Sequence, residues 1–258
     1  MLPAPAPTGR RPWALATLAA LLLFVFARLR GELPPYVDLH RWLAGLGVPD
    51  WLRNLDHTAW MLFAIGLAAR LAHGRGEVLR GLGLRGGLPR GLTFGLAAGA
   101  PMLLQGLLGG DGLRFDANVA RGVLLAPLIE ELFFRAVLVG IPTRVGGAPF
   151  WPVAIAAAVL FGSVHVPWTG PWHGGHFGIF AATFCGGVWY AWIVRCFGGN
   201  LWTTIVLHAL MNAAWMVTGV AGDAGGTLWP NLGRAATIVL GTVLAVRAQR
   251  TAGGQAAD

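Results

Sequence analysis

The sequence predicts an all-α protein, a polytopic membrane bundle of about eight transmembrane helices, and three observations carry that prediction. Of 258 residues, 55% are hydrophobic and only 12% charged, where a soluble domain usually carries about a quarter charged residues. Mean hydropathy is +0.62. Long apolar runs recur between short polar breaks marked by Arg, Gly and Pro, and they span, or nearly span, the ~30 Å of a bilayer's hydrocarbon.

In chain order the spans fall near 13–27, 57–72, 91–109, 118–140, 150–166, 177–195, 200–220 and 232–246. The first two are short, which makes seven the alternative count. Arg10 and Arg11 before the apolar run from Ala14 to Ala27 have the layout of a secretory signal. Arg28, Leu29 and Arg30 follow in place of a small-x-small cleavage site, so the segment reads as an uncleaved first helix. The polar stretch from Gly31 to Asp56 contains Trp42, Leu43, Leu46, Val48, Trp51 and Leu52, a pattern suited to short amphipathic pieces lying at the membrane surface. The chain thus divides into 1–117, with the first three helices and the interfacial loop 31–56, a core at 118–220, and 221–258, with the last helix and a polar tail that reads as disordered from Thr251.

The net charge of +8 comes from 19 basic residues, all arginine and scattered singly. Nucleic-acid binding needs a basic stripe on a soluble face, which is missing. The glycine-rich stretch from Gly81 to Gly91 lacks a Lys-Ser/Thr ending and does not read as a nucleotide phosphate loop. With the N-terminus inside, eleven arginines fall in cytoplasmic loops and seven opposite, so the positive-inside rule puts both termini in the cytoplasm of a multi-pass inner (plasma) membrane protein. Cys185 and Cys196, eleven helical steps or about 16 Å apart, are too distant for a bridge.

An ionisable group at the bilayer centre costs roughly 3 kcal/mol, so each one inside a span marks a functional candidate. The densest stretch is Ala126-Pro127-Leu128-Ile129-Glu130-Glu131-Leu132-Phe133-Phe134-Arg135. Glu131 and Arg135 stand at i and i+4 in the favourable order for an ion pair. Glu130, turned by about 100°, has no arginine on its own face. Glu131 is then neutralised structurally, and Glu130 is left for general base work. Phe161 and His165 close the fifth span, and His208 and Asn212 share one face of the seventh. Two glutamates, two histidines and an amide on three helices can converge, and they would then form a polar pocket walled by apolar helices.

Such a pocket suits hydrolysis of a peptide bond. A carboxylate takes a proton from water, a neutral imidazole holds that water or a metal, and an amide or imidazole N–H stabilises the oxyanion. Zinc-assisted hydrolysis needs a similar kit, with Glu130, His165 and His208 as the ligands. His-Glu-x-x-His is absent, so a metal site would be assembled across spans. Counted from the span ends, Glu130 and His208 lie about 13–15 Å from the inner boundary and His165 roughly 22 Å, a mismatch that favours entry of substrate from the outer half.

The three blocks, Glu130-Glu131 with Arg135, Phe161 with His165, and His208 with Asn212, resemble the signatures of the CPBP family, the CAAX prenyl proteases and bacteriocin-processing enzymes, in family order and on separate spans. The resemblance covers about 118–220. It implies an eight-helix bundle in which Glu130 activates water with help from His165, His208 and Asn212 stabilise the oxyanion, and Glu131, Arg135 and Phe161 support the site. The family has been described both as zinc-dependent and as a metal-free glutamate protease, and the metal-free chemistry is preferred here. The implied partners are membrane lipid and a protein or peptide substrate near the membrane; nothing implies a prenylated one.

Two other classes compete: a non-catalytic scaffold or bacteriocin-immunity partner that keeps the motif residues for packing, and a transporter with Glu130 and Glu131 as proton carriers. The latter lacks broken helices and an internal repeat. His173-Gly174-Gly175-His176, a conceivable metal clip, reads more simply as an interfacial turn beside Trp168 and Trp172.

Overall fold

A computed structural model describes residues 13–29, 33–49, 55–168, 171–222 and 225–254, and it contains only helices, turns and loops there. Arg10, Arg11, Arg30, Trp51, Leu52 and residues 255–258 lie outside the described residues, whereas Thr251 to Gly254, expected in a disordered tail, continue the last helix. Among the described residues, nine principal helices follow in order: α1 Trp13–Leu29, α2 Pro34–Gly45, α3 Leu55–His73, α4 Leu88–Gly109, α5, running over 117–145, α6 Phe150–Ser163, α7 Gly174–Cys196, α8 Trp202–Met216 and α9 Leu228–Gly254. Each predicted span falls on a helix, although 164–166, 200–201 and 217–220 lie outside the helices. Two helices, α4 and α7, are by themselves long and apolar enough to cross a membrane, and the α1–α2 pair, bent by 55°, makes a third if taken as one. Of the others, α6 has 14 residues and α8 has 15.

Small residues decide which helices touch. Ala16, Ala20, Phe24 and Ala27 form the buried face of α1, at the three- and four-residue spacing of one helical stripe. They meet the alanine-rich side of α3, where Ala64, Ala68, Ala69 and Ala72 are buried. The opposite side of α1, with Leu15, Leu18 and Leu22, is exposed, as a lipid-facing surface is. In α2 nothing is buried, and Asp38 and Arg41 pair in the open at 3.4 Å.

The closest seam joins α4 to α8. Gly91, Gly95 and Gly99 recur at every fourth position on α4, and a Cβ would stand 2.5 Å from the Trp202 side chain at Gly91, 2.5 Å from Val206 at Gly95 and 3.2 Å from Leu210 at Gly99. Only a bare backbone lets the two axes come this near, the device that associates helices where lipid is as apolar as leucine. The loop before α4 fastens the same seam: Leu201 N–H donates to the Gly83 carbonyl at 3.1 Å, Asn200 Nδ2 to Gly87 at 2.9 Å and Trp202 Nε1 to Leu84 at 3.0 Å. Gly83 has φ +76° and lies against the Gly199 carbonyl, so it serves both a left-handed turn and a close approach.

At the centre stands α5, in which every residue from Glu131 to Pro142 is buried. Phe133 stacks on Phe24 of α1 at 4.9 Å, and Ala154 and Ala157 of α6 share its cluster. Its geometry departs from the regular α-helix the sequence suggested. Segments Ala117–Ala120 and Ala126–Glu130 are α-helical, whereas Arg121–Leu125 and Glu131–Val145 are wound as wider π turns. Pro127 and Pro142 interrupt its N–H donors, and missing donors are a recognised cause of such irregularity. The cysteines are unbridged, Cys185 exposed and Cys196 buried.

Candidate active site

The site is assembled where α5 faces α8. Glu131 and Arg135 form the predicted i, i+4 ion pair at 3.3 Å, with side chains 0% and 1% exposed. Arg135 has a second reason to stay: its Cζ lies 4.2 Å from the Phe161 ring, 5.2 Å from Tyr190 and 5.9 Å from Phe134. Among the described residues, neither Nη of Arg135 has a hydrogen-bond acceptor, so aromatic faces take the place that acceptors fill in other buried guanidinium sites.

The role expected for Glu131 was neutralisation by Arg135, and the structure adds a second partner. His208 Nδ1 stands 2.9 Å from Glu131 Oε1, and the Thr204 hydroxyl, one turn earlier on α8, lies beside the same carboxylate. A carboxylate accepts only, so Nδ1 carries the proton and, in the neutral ring, Nε2 holds the lone pair. Nε2 is 3.8 Å from Glu130 Oε2, too far for a direct hydrogen bond. The imidazole therefore bridges two neighbouring carboxylates of α5, one sealed and one 29% exposed. In the wider turns that flank Glu130 and Glu131, adjacent side chains diverge by less than the ~100° of an α-helix, which helps both to reach one ring.

Asn212 is on the same face of α8, and its Nδ2 donates to the Gly122 carbonyl of α5 at 2.8 Å. That uses one of its two amide hydrogens. His165 sits apart. It follows the last turn of α6, where its Nδ1–H donates to the Phe161 carbonyl at 2.7 Å and its ring lies 4.7 Å from the Phe161 ring. Among the described residues it makes no hydrogen bond to Glu130, Glu131 or His208. The two glutamates and His208 are thus brought together, Asn212 meets α5 at Gly122, and Phe161 stands between Arg135 and His165. No three His, Cys, Asp or Glu side chains among the described residues converge as a metal cage. The set Glu130, His165 and His208 does not fit a zinc ion as placed, and no step is drawn through one. His173 and His176 lie with their rings 3.7 Å apart at the start of α7, and they join no metal cluster among the described residues either.

Residues 115–214 match the family described as Type II CAAX prenyl endopeptidase Rce1-like. The stretch contains all three motifs, and the resemblance to CPBP proteases drawn from them holds. No curated protein and no solved structure matches the chain. The Rce1-like match supports an intramembrane endopeptidase of the CAAX type, and with the apolar helices it supports a membrane location.

Within the matched stretch, two residues beside the site escaped the sequence reading. Tyr190 of α7 is buried, donates its hydroxyl to Met211 Sδ at 3.1 Å and lies 5.4 Å ring to ring from His208. Thr204 is fully buried one turn before His208. A signal existed for each: Tyr190 is one of only two tyrosines in the chain, and Thr204, His208 and Asn212 recur at i, i+4 and i+8.

Proposed function

We propose that the protein is an intramembrane endopeptidase that hydrolyses a peptide bond of a membrane-associated or exported substrate with water activated by Glu130. The observation that carries this reading is the His208 ring bridging Glu131 and Glu130. A water about 2.8 Å from both His208 Nε2 and Glu130 Oε2 fits the 3.8 Å gap, donating one hydrogen to each and keeping an oxygen lone pair for attack. Glu131 fixes the tautomer of His208, and Arg135 pairs with Glu131 in a site closed to solvent.

In the reaction the water oxygen attacks the carbonyl carbon while Glu130 takes the water's proton. The oxyanion is met by the second amide N–H of Asn212, which Gly122 leaves free. Collapse breaks the C–N bond, and Glu130 returns its proton to the departing amine. His165 holds Phe161, and through it the aromatic side of Arg135. The substrate is a protein or peptide segment next to the bilayer, entering from the outer half; the protein lies in the inner (plasma) membrane with both termini cytoplasmic and about eight crossings.

The test compares membrane proteomes of cells carrying the wild-type protein and Glu130→Gln. Cleaved termini that vanish in the variant, at unchanged protein level, identify the substrate. Cleavage that persists in purified Glu130→Gln rejects the mechanism. A scaffold or immunity role predicts no lost termini and a loss of stability alone.

A further inference from the structure

The hydrogen-bond ladder of α5 changes register twice just before Glu130. Arg121 N–H bonds back four residues to the Ala117 carbonyl, Ala126 N–H bonds back five to Arg121, and Glu131 N–H bonds back four again to Pro127. One wide turn is thus enclosed between α-helical registers. The next carbonyl in the wide register is that of Gly122, whose donor would be residue 127. That residue is proline and has no N–H. The N–H of Ala126, the α-register alternative, is already bonded to Arg121. Neither position offers Gly122 a free N–H, and an unpaired carbonyl away from water costs as much as a lost hydrogen bond. Asn212 supplies the missing donor from α8 at 2.8 Å.

The wide turn has a consequence at Glu130. In an α-helix, residues eight apart are rotated by about 80° from one another. A turn that takes in an extra residue removes most of that rotation, so Gly122 and Glu130 face α8 together. They meet Asn212 and His208, themselves one turn apart on α8, at 2.8 and 3.8 Å. We infer that Pro127 and Asn212 are a coupled pair of positioning residues: Pro127 withholds an N–H, Asn212 replaces it, and the turn so held aims Glu130 at His208. The inference rests on the proteolytic reading only for its effect on turnover.

The experiment is a stability cycle with a kinetic arm, on the full chain in detergent. Asn212→Leu lowers the thermal midpoint by roughly 5 °C. In the Pro127→Ala background, where the new residue offers its N–H to Gly122, the same change lowers it by less than half as much. Equal losses in the two backgrounds overturn the pairing. Pro127→Ala alone, with Asn212 intact, lowers kcat about tenfold and leaves KM unchanged on a peptide spanning the site found in the proteome comparison. Full kcat in Pro127→Ala overturns the aiming role. The stability cycle needs no substrate, so it stands or falls without the protease reading, which Glu130→Gln tests separately.

Discussion

The seam between α5 and α8 and the turn after α6 both carry motif residues, and they are built differently. Across the seam polar atoms meet directly: His208 with Glu131 at 2.9 Å, Asn212 with Gly122 at 2.8 Å. Among the described residues the turn reaches the same centre through ring contacts, from His165 to the Phe161 ring and from that ring to the guanidinium of Arg135. The glycine stripe of α4 holds α8 at its closest packing, whereas His165 has left its helix before it begins to act. The difference teaches that residues of one signature need not form one contact set. The seam sets polar atoms directly against one another, and the turn packs along one side of them.

The largest effect should come from Glu130. Glu130→Gln keeps size and hydrogen bonding but removes the base, and general base catalysis is worth about 10²–10⁴ in rate. We expect turnover to fall about a thousandfold with the thermal midpoint unchanged, because the 29% exposed side chain pairs closely with nothing that holds the bundle. Residual activity near the wild-type level would move the base to another residue.

Glu131 tests the other half of the seam. Removing one member of a buried ion pair costs about 3–5 kcal/mol, whereas replacing both by apolar groups costs far less. Glu131→Gln should therefore yield little folded protein. The double variant Glu131→Leu with Arg135→Met should recover the folded yield and still fail to cleave, since His208 has lost the carboxylate that sets its tautomer. Measured by size-exclusion profile and thermal unfolding in detergent, equal damage in single and double variants would deny that the pair acts as a unit.

Much of this was legible in the residue pattern. Each predicted span falls on a helix, the ion pair of Glu131 with Arg135 followed from i, i+4 spacing, and the common face of His208 and Asn212 followed from the same rule. What was not legible depended on register. The α period gives the two glutamates separate faces, and the wide turns of α5 bring both to one imidazole. Pro127 was the visible sign of the irregularity. The stripe of Gly91, Gly95 and Gly99 could also have been read as a close helix contact, but it falls in a span that seemed to carry no chemistry. Distances between spans, such as that separating His165 from the seam, depend on helix placement, and no single segment's pattern encodes it.

Among the motif residues the smallest effect should be that of His165. Its hydrogen bond goes to the Phe161 carbonyl and its ring packs on the Phe161 ring, so His165→Ala leaves the array of Glu130, His208 and Glu131 intact. What it loosens is the Phe161 ring, which lies 4.2 Å from Arg135 and takes part in holding the guanidinium that pairs with Glu131. A loss of about 10- to 100-fold in kcat is expected, equivalent to roughly 1.4–2.7 kcal/mol. Phe161→Leu should match or exceed it, because that change removes the aromatic face itself, worth up to about 2 kcal/mol where desolvated. Should His165→Ala instead equal Glu130→Gln in severity while Phe161→Leu is mild, His165 must reach the reacting atoms during turnover. The turn after α6 would then be a moving part of the site, and not only packing along one side of it.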